Sequence, residues 1–204
     1  MKRSPLAHRA ALALLALAAG AGLPAHAELV TDVAAPLDVN ARLNFRVTYP
    51  GFLRFRVGTT GATINLLDFT VPAAQVGSGT PIAGTGGDAG PSGVNVEVVA
   101  NNGQVTITPT NSSGGLGIGT GTATDGRINY DQIGTLSSVA QLPAPILTNA
   151  GGAPVTPTLN TTLVTNRTAV WTFSYLNQTI PSAGTYGGAT AARGGRVTYT
   201  ATMP

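Results

Sequence analysis

The sequence predicts an all-β, antiparallel protein, and three observations carry that prediction. Apolar and polar residues alternate with period two through most of the chain after residue 27. The alternating runs are short and are broken by clusters of Gly, Pro, Asn, Asp and Ser. No stretch after residue 27 repeats its apolar residues with a helical period. Successive strand side chains point to opposite faces, so period two with turn residues between runs is the pattern of half-buried strands.

The first run is the longest. Leu37, Val39, Ala41, Leu43, Phe45, Val47 and Tyr49 alternate with Asp38, Asn40, Arg42, Asn44, Arg46 and Thr48 before Pro50-Gly51 interrupts. Leu53, Phe55 and Val57 then alternate with Arg54 and Arg56 up to Gly58. Ile64 and Leu66 alternate, the phase slips at Leu67, and it resumes at Phe69 and Val71. One inserted residue is what a β-bulge supplies, so a bulge is expected near Leu66-Leu67.

Val94, Val96 and Val98 form the next run, followed by Asn101-Asn102-Gly103 and then Val105 and Ile107. Asn-Gly between two alternating runs is a strong hairpin signal, because both residues tolerate positive φ. Ile128, Tyr130 and Ile133 mark a weaker strand. Ala169, Trp171, Phe173 and Tyr175 mark a strong one, and Val197, Tyr199, Ala201 and Met203 end the chain. Between them lie Gly/Thr-rich loops over 77–93, 112–126 and 143–160, long for a compact domain and therefore functional or mobile. Seven to nine short strands separated in this way fit an immunoglobulin-like antiparallel β-sandwich, with a closed barrel as the alternative.

Residues 1–27 have the three parts of a secretory signal peptide. Lys2, Arg3 and Arg9 form a basic start, Ala10–Leu17 an apolar stretch, and Ala25-His26-Ala27 a small-residue cleavage site. The apolar stretch is shorter than the roughly 20 residues of a spanning helix. The expected division is therefore a signal peptide over 1–27 and a single β domain over 28–204. The expected location is outside the cytoplasm, as a secreted, periplasmic or cell-surface protein of a bacterium.

Cleavage changes the electrostatics. The full chain has 11 basic and 8 acidic residues, a net charge of +3 and a pI near 9.7. Three of the basic residues belong to residues 1–27, which leaves eight arginines against eight acids. The basic excess that would attract nucleic acid is thus confined to the export signal, and aromatic residues for base stacking are few. No nucleic-acid partner and no membrane insertion after cleavage are expected. Cys is absent throughout, so stability must come from packing and not from disulfides.

Residues 28–204 also lack His and Lys. A Ser-His-Asp or Cys-His nucleophile needs an imidazole, and zinc, copper and haem sites draw on His and Cys. No G-x-S-x-G elbow or phosphate-binding loop is present. Two of the eight acids could pair as in a glycosidase, and Asp125, Asn129 and Asp131 could offer oxygens to calcium, although their spacing is not that of an EF-hand. Solvated turn aspartates account for these acids more simply. No enzyme activity, metal or cofactor is expected. Arg42, Arg46, Arg54 and Arg56 share the face opposite the apolar one, as a basic stripe or as solvated charges that discourage edge-to-edge pairing. Trp171 alternates with Ala169, Phe173 and Tyr175 and reads as a core residue, not a sugar platform.

The C-terminal strings Trp171-Thr-Phe-Ser-Tyr175, Pro181-Ser-Ala-Gly184-Thr-Tyr186-Gly-Gly and Arg196-Val-Thr-Tyr-Thr-Ala-Thr-Met-Pro204 resemble bacterial surface β-sandwich domains. They are similar in particular to the pilin subunits of chaperone–usher fimbriae, including the spore-coat-U-like branch. Met203 and Ala191 stand where that family commonly has a tyrosine and a glycine, and the usual disulfide is missing. The resemblance implies an immunoglobulin-like fold lacking one strand, completed by the N-terminal extension of a neighbouring subunit, with like subunits or a periplasmic chaperone and usher as partners. It implies that Leu37, Val39, Ala41, Leu43 and Phe45 insert and that Val197, Tyr199, Ala201 and Met203 line the groove. Segment 37–49 is otherwise the domain's own first strand. The functional expectation is a structural or adhesive surface protein; the alternatives are a secreted module for carbohydrate or another surface ligand, and a carboxylate hydrolase.

Overall fold

The computed structural model describes residues 29–119 and 126–204. The expected export signal and Asp125 lie outside the described residues. The chain divides into two units, residues 1–48 and residues 49–204.

In the described part of the first unit no residue is in a strand or helix. Its one local structure is a bend after Asp32, whose carboxylate accepts the N–H of Ala34 at 3.0 Å and of Asp38 at 3.4 Å. These bonds, that to Ala34 foremost, hold the Asp32 carboxyl below its ordinary pKa. No residue of the alternating run 37–49 is in a strand. Its apolar side chains are exposed, Leu37 at 71% and Phe45 at 85%.

The second unit is all-β. Its strands are β1 (Leu53–Val57), β2 (Leu67–Asp68), β3 (Ile82–Ala83), β4 (Thr85–Gly86), β5 (Gly93–Ala100), β6 (Thr106–Asn111), β7 (Ile133–Ser137), β8 (Leu147–Thr148), β9 (Gly151–Gly152), β10 (Thr165–Tyr175) and β11 (Val197–Thr202). Every pairing between these strands is antiparallel. Among the described residues the helical pieces are three single 3₁₀ turns.

The main sheet runs β1-β5-β10-β3, with β7 also on β10. Both edges of β5 are taken: Ala100 faces Leu53 of β1 and Thr165 of β10. A second sheet pairs β6 with β11, and Ile107 of β6 bridges on its other side to Val155. Residues from both sheets meet in one core. Val94, Val96, Val98 and Ala100 of β5, Ala169, Trp171 and Phe173 of β10, and Val105 and Ile107 cluster with Tyr130, Leu142 and Leu147. Trp171 is fully buried, donates its indole N–H to the Leu142 carbonyl at 3.1 Å, and meets Tyr199 of β11 edge-on at a centroid distance of 5.3 Å. That contact crosses from one sheet to the other.

Three local expectations are corrected. Asn101-Asn102-Gly103 does not close a hairpin; it carries the chain from one sheet to the other. β5 has no free edge for β6, and the turn's polar groups are used elsewhere. Phe52 N–H donates to Asn101 Oδ1, Asn102 Nδ2 donates to the Pro204 carbonyl, and Gly103 N–H donates to the Leu163 carbonyl. The run 64–71 contributes only the two-residue β2, starting at Leu67. The weak strand at 128–133 resolves into a bridge from Ile128 to Ile118, a 3₁₀ turn at Tyr130–Gln132, and β7 beyond it.

Candidate functional site

The residues singled out from the sequence fall on two features. The first is the edge formed by β1 and β11. Among the described residues, β1 pairs only with β5 and β11 only with β6. Each strand is thus the edge of its sheet, and the two lie against each other across the core. The burial pattern shows that this side is less complete than the interior. Every inward residue of β5 is buried. Leu53, Phe55 and Val57 of β1, and Val197, Tyr199 and Ala201 of β11 with Met203 beyond it, are only half-buried. They line a long apolar margin between two strands whose outer main-chain edges offer N–H and C=O groups. The predicted groove residues Val197, Tyr199, Ala201 and Met203 are all on it. The inward residues of β1 were missed, although their alternation was visible in the sequence.

Burial raises the Tyr199 phenol above its ordinary pKa, with a further contribution from Tyr130. Tyr130 is buried beside it, pushed up to about 12 by desolvation, and donates its hydroxyl to the Gly194 carbonyl at 2.6 Å. These phenols are neutral packing groups over the ordinary pH range.

The second feature is the segment 37–49 itself. Leu37, Val39, Ala41, Leu43 and Phe45 occur at every second residue, all are exposed, and none is in a strand. The structure gives the first unit and the β domain separately, so the two sets of predicted residues stand as two surfaces: a strand-like segment and an open strand edge.

The outer face of the main sheet carries the charge. Arg54 meets Glu97 at 2.6 Å, and Arg56 lies 3.6 Å from Glu97 and 3.8 Å from Asp88. The hydrogen bond from Arg54 above all holds the Glu97 carboxyl below its ordinary range. The β1 half of the expected basic stripe is thus matched by acids. Beside it a shallow cleft of about 300 Å³ is lined by Arg56, Asn95, Ser138 and Thr168. Among the described residues no group of three acidic, His or Cys side chains is placed to hold a metal ion, and no helix is long and apolar enough to cross a membrane. Trp171 and Tyr130 are buried, so neither presents a ring to a ligand.

Comparison of the chain with protein-family models, with curated proteins and with solved structures gives no match.

Proposed function

We propose that this chain is an exported bacterial surface protein of structural or adhesive kind, a fimbria-like subunit whose immunoglobulin-like sandwich is completed by strand exchange. The N-terminal segment of one copy, residues 37–49, adds to the open β1/β11 margin of another. One observation carries the reading: a margin of half-buried apolar residues between two edge strands coexists with a segment whose exposed apolar residues have the strand period. An added strand takes its affinity from main-chain pairing and its register from pockets that accept alternate side chains. Leu37, Val39, Ala41, Leu43 and Phe45 supply the alternate side chains, and Val197, Tyr199, Ala201 and Met203, with Leu53, Phe55 and Val57, supply the pockets. A binding module that used aromatic rings has less support, because Trp171 and Tyr130 are committed to the core.

The test replaces Leu43 and Phe45 by Asp in the full chain. Burying two carboxylates in an apolar margin is prohibitive, so the variant should stay monomeric with an unchanged near-ultraviolet signal from Trp171. The wild type should form SDS-resistant ladders, visible as fibres by electron microscopy. A wild type that is monomeric at every concentration, or an L43D/F45D variant that still assembles, defeats the proposal.

A further inference from the structure

We infer that the joint at Tyr49–Phe52, together with Asn101, bars the segment 37–49 from filling its own domain's margin and so reserves it for a second copy; the inference rests on the strand-exchange reading. The margin runs alongside β1, which begins three residues after Pro50. To lie in its own margin the segment would have to reverse direction at this joint, and three independent features oppose reversal.

The first is parity. In a hairpin closed by Pro50-Gly51 alone, Tyr49 stands opposite Phe52, Val47 opposite Arg54 and Phe45 opposite Arg56. Residues directly opposite share a face, and a slip of one residue moves every side chain to the other face. The apolar side of the segment would then join the charged outer face of β1, where Arg54 and Arg56 are paired with Glu97. Leu53, Phe55 and Val57 would be left uncovered on the inside.

The second is turn chemistry. Taking Tyr49-Pro50-Gly51 as a three-residue loop restores the match, with Val47 opposite Leu53 and Phe45 opposite Phe55. That loop is normally a type I turn followed by a left-handed residue. It places Pro50 at the third position of the turn, which proline disfavours because of what it imposes on the residue before it.

The third is a clamp. Asn101 Oδ1 accepts the Phe52 N–H at 2.7 Å, its Nδ2 donates to the Pro50 carbonyl at 2.9 Å, and its own N–H donates to the Phe52 carbonyl at 3.3 Å. The carboxamide thereby takes the place of a further residue of β5 and continues the β1–β5 pairing back through Pro50. Gly51 is not among the glycines with positive φ, as a type II turn at Pro50-Gly51 would require. The neighbouring Asn102 ties down the Pro204 carbonyl at 3.0 Å, so the same turn fixes the end of β11.

The test uses the full chain with two substitutions, Pro50→Asp and Asn101→Ala, made singly and together. Asp at position 50 suits the turn position that proline opposes, and Ala at 101 removes the clamp. Assembly is followed by sedimentation, and pairing of residues 37–49 by amide hydrogen exchange. In the wild type, protection of these amides should appear only as concentration rises and assembly proceeds. In P50D/N101A it should be present at all concentrations in a monomer, with the concentration for half-assembly raised about tenfold or more, since an intramolecular strand competes at high effective concentration. P50D alone leaves the β-domain contacts of Asn101 in place and should shift half-assembly in the same direction by less. Assembly of both variants at the wild-type concentration overturns the inference while leaving strand exchange standing. A wild-type monomer already protected over 37–49 at high dilution also overturns it. Absence of protection in the wild type at any concentration removes the strand-exchange reading itself, and the inference with it.

Discussion

Tyr130 shows how much of this fold depends on single polar groups placed in an apolar setting. Its ring is part of the core, and its hydroxyl satisfies the carbonyl of Gly194, which would otherwise be buried without a donor. Tyr130→Phe keeps the shape and leaves that carbonyl unpaired, at a cost of about 1 kcal/mol in urea unfolding. The pH dependence follows from the raised pKa. The unfolded phenol loses its proton near 10 and the folded one near 12. The contribution of the neutral group is therefore fully present below pH 10 and is lost as pH rises through 12. Wild-type stability should fall over that interval by on the order of 2 kcal/mol for this group, and Y130F should fall less steeply. Equal slopes for the two proteins would show that Tyr130 is not the titrating group. Asn177 plays a comparable part at a turn: fully buried, it accepts the Gly77 N–H at 3.0 Å and donates to Ser78 Oγ at 3.3 Å.

At the scale of elements, the sequence pattern located strands well and pairings poorly. The strands centred on Val96, Trp171 and Tyr199 lie where their alternation placed them, because one face of each turns to the core, fully buried in the first two and half-buried in the third. Asn102-Gly103 was misread for a physical reason. The hairpin signal describes the turn's own dihedrals, whereas the partner of β5 is decided by which strands fill its two edges, and those lie far away in sequence at β1 and β10. The segment 37–49 alternates without being in a strand, because alternation records a preference for a pleated, half-buried surface and does not say whose surface it is. The alternation of Val197, Tyr199, Ala201 and Met203 marked β11 as a strand, and only the pilin resemblance gave it a groove role; the place of β1 beside it depends on a sheet order that no local pattern encodes. The difference between interior and edge strands has a measurable consequence. Val98 of β5 is fully buried, so Val98→Ala should destabilise by about 2 kcal/mol. Val197 of β11 is half-buried, and Val197→Ala in the monomer should cost about half as much. Urea unfolding at a concentration where no assembly occurs compares the two directly. A Val197→Ala cost equal to that of Val98→Ala would mean that the β11 margin is already filled.

For the whole molecule, what matters is how the charge is distributed along the chain. All of the +3 excess belongs to residues 1–27, and residues 28–204 carry eight arginines against eight acids without Lys, His or Cys. Two of those arginines, Arg54 and Arg56, are matched by Glu97 and Asp88 on the outer face of the main sheet. With residues 1–27 removed as the proposed export signal, a chain of this balance has little long-range field with which to attract a copy of itself. Assembly of the proposed kind then draws on apolar burial and main-chain pairing, and these respond to salt differently from charge pairing. Between about 0.05 and about 0.5 M sodium chloride, where screening lengths shorten severalfold, the half-assembly concentration should stay nearly constant. Sodium sulfate should lower it, because excluded salts strengthen apolar burial. Association joined by the arginine face instead would weaken steeply with sodium chloride. Light scattering across the two salts separates these cases: steep loss in chloride transfers the joining surface from the β1/β11 margin to the charged face of β1 and β5, whereas insensitivity to chloride with gain in sulfate keeps it at the margin.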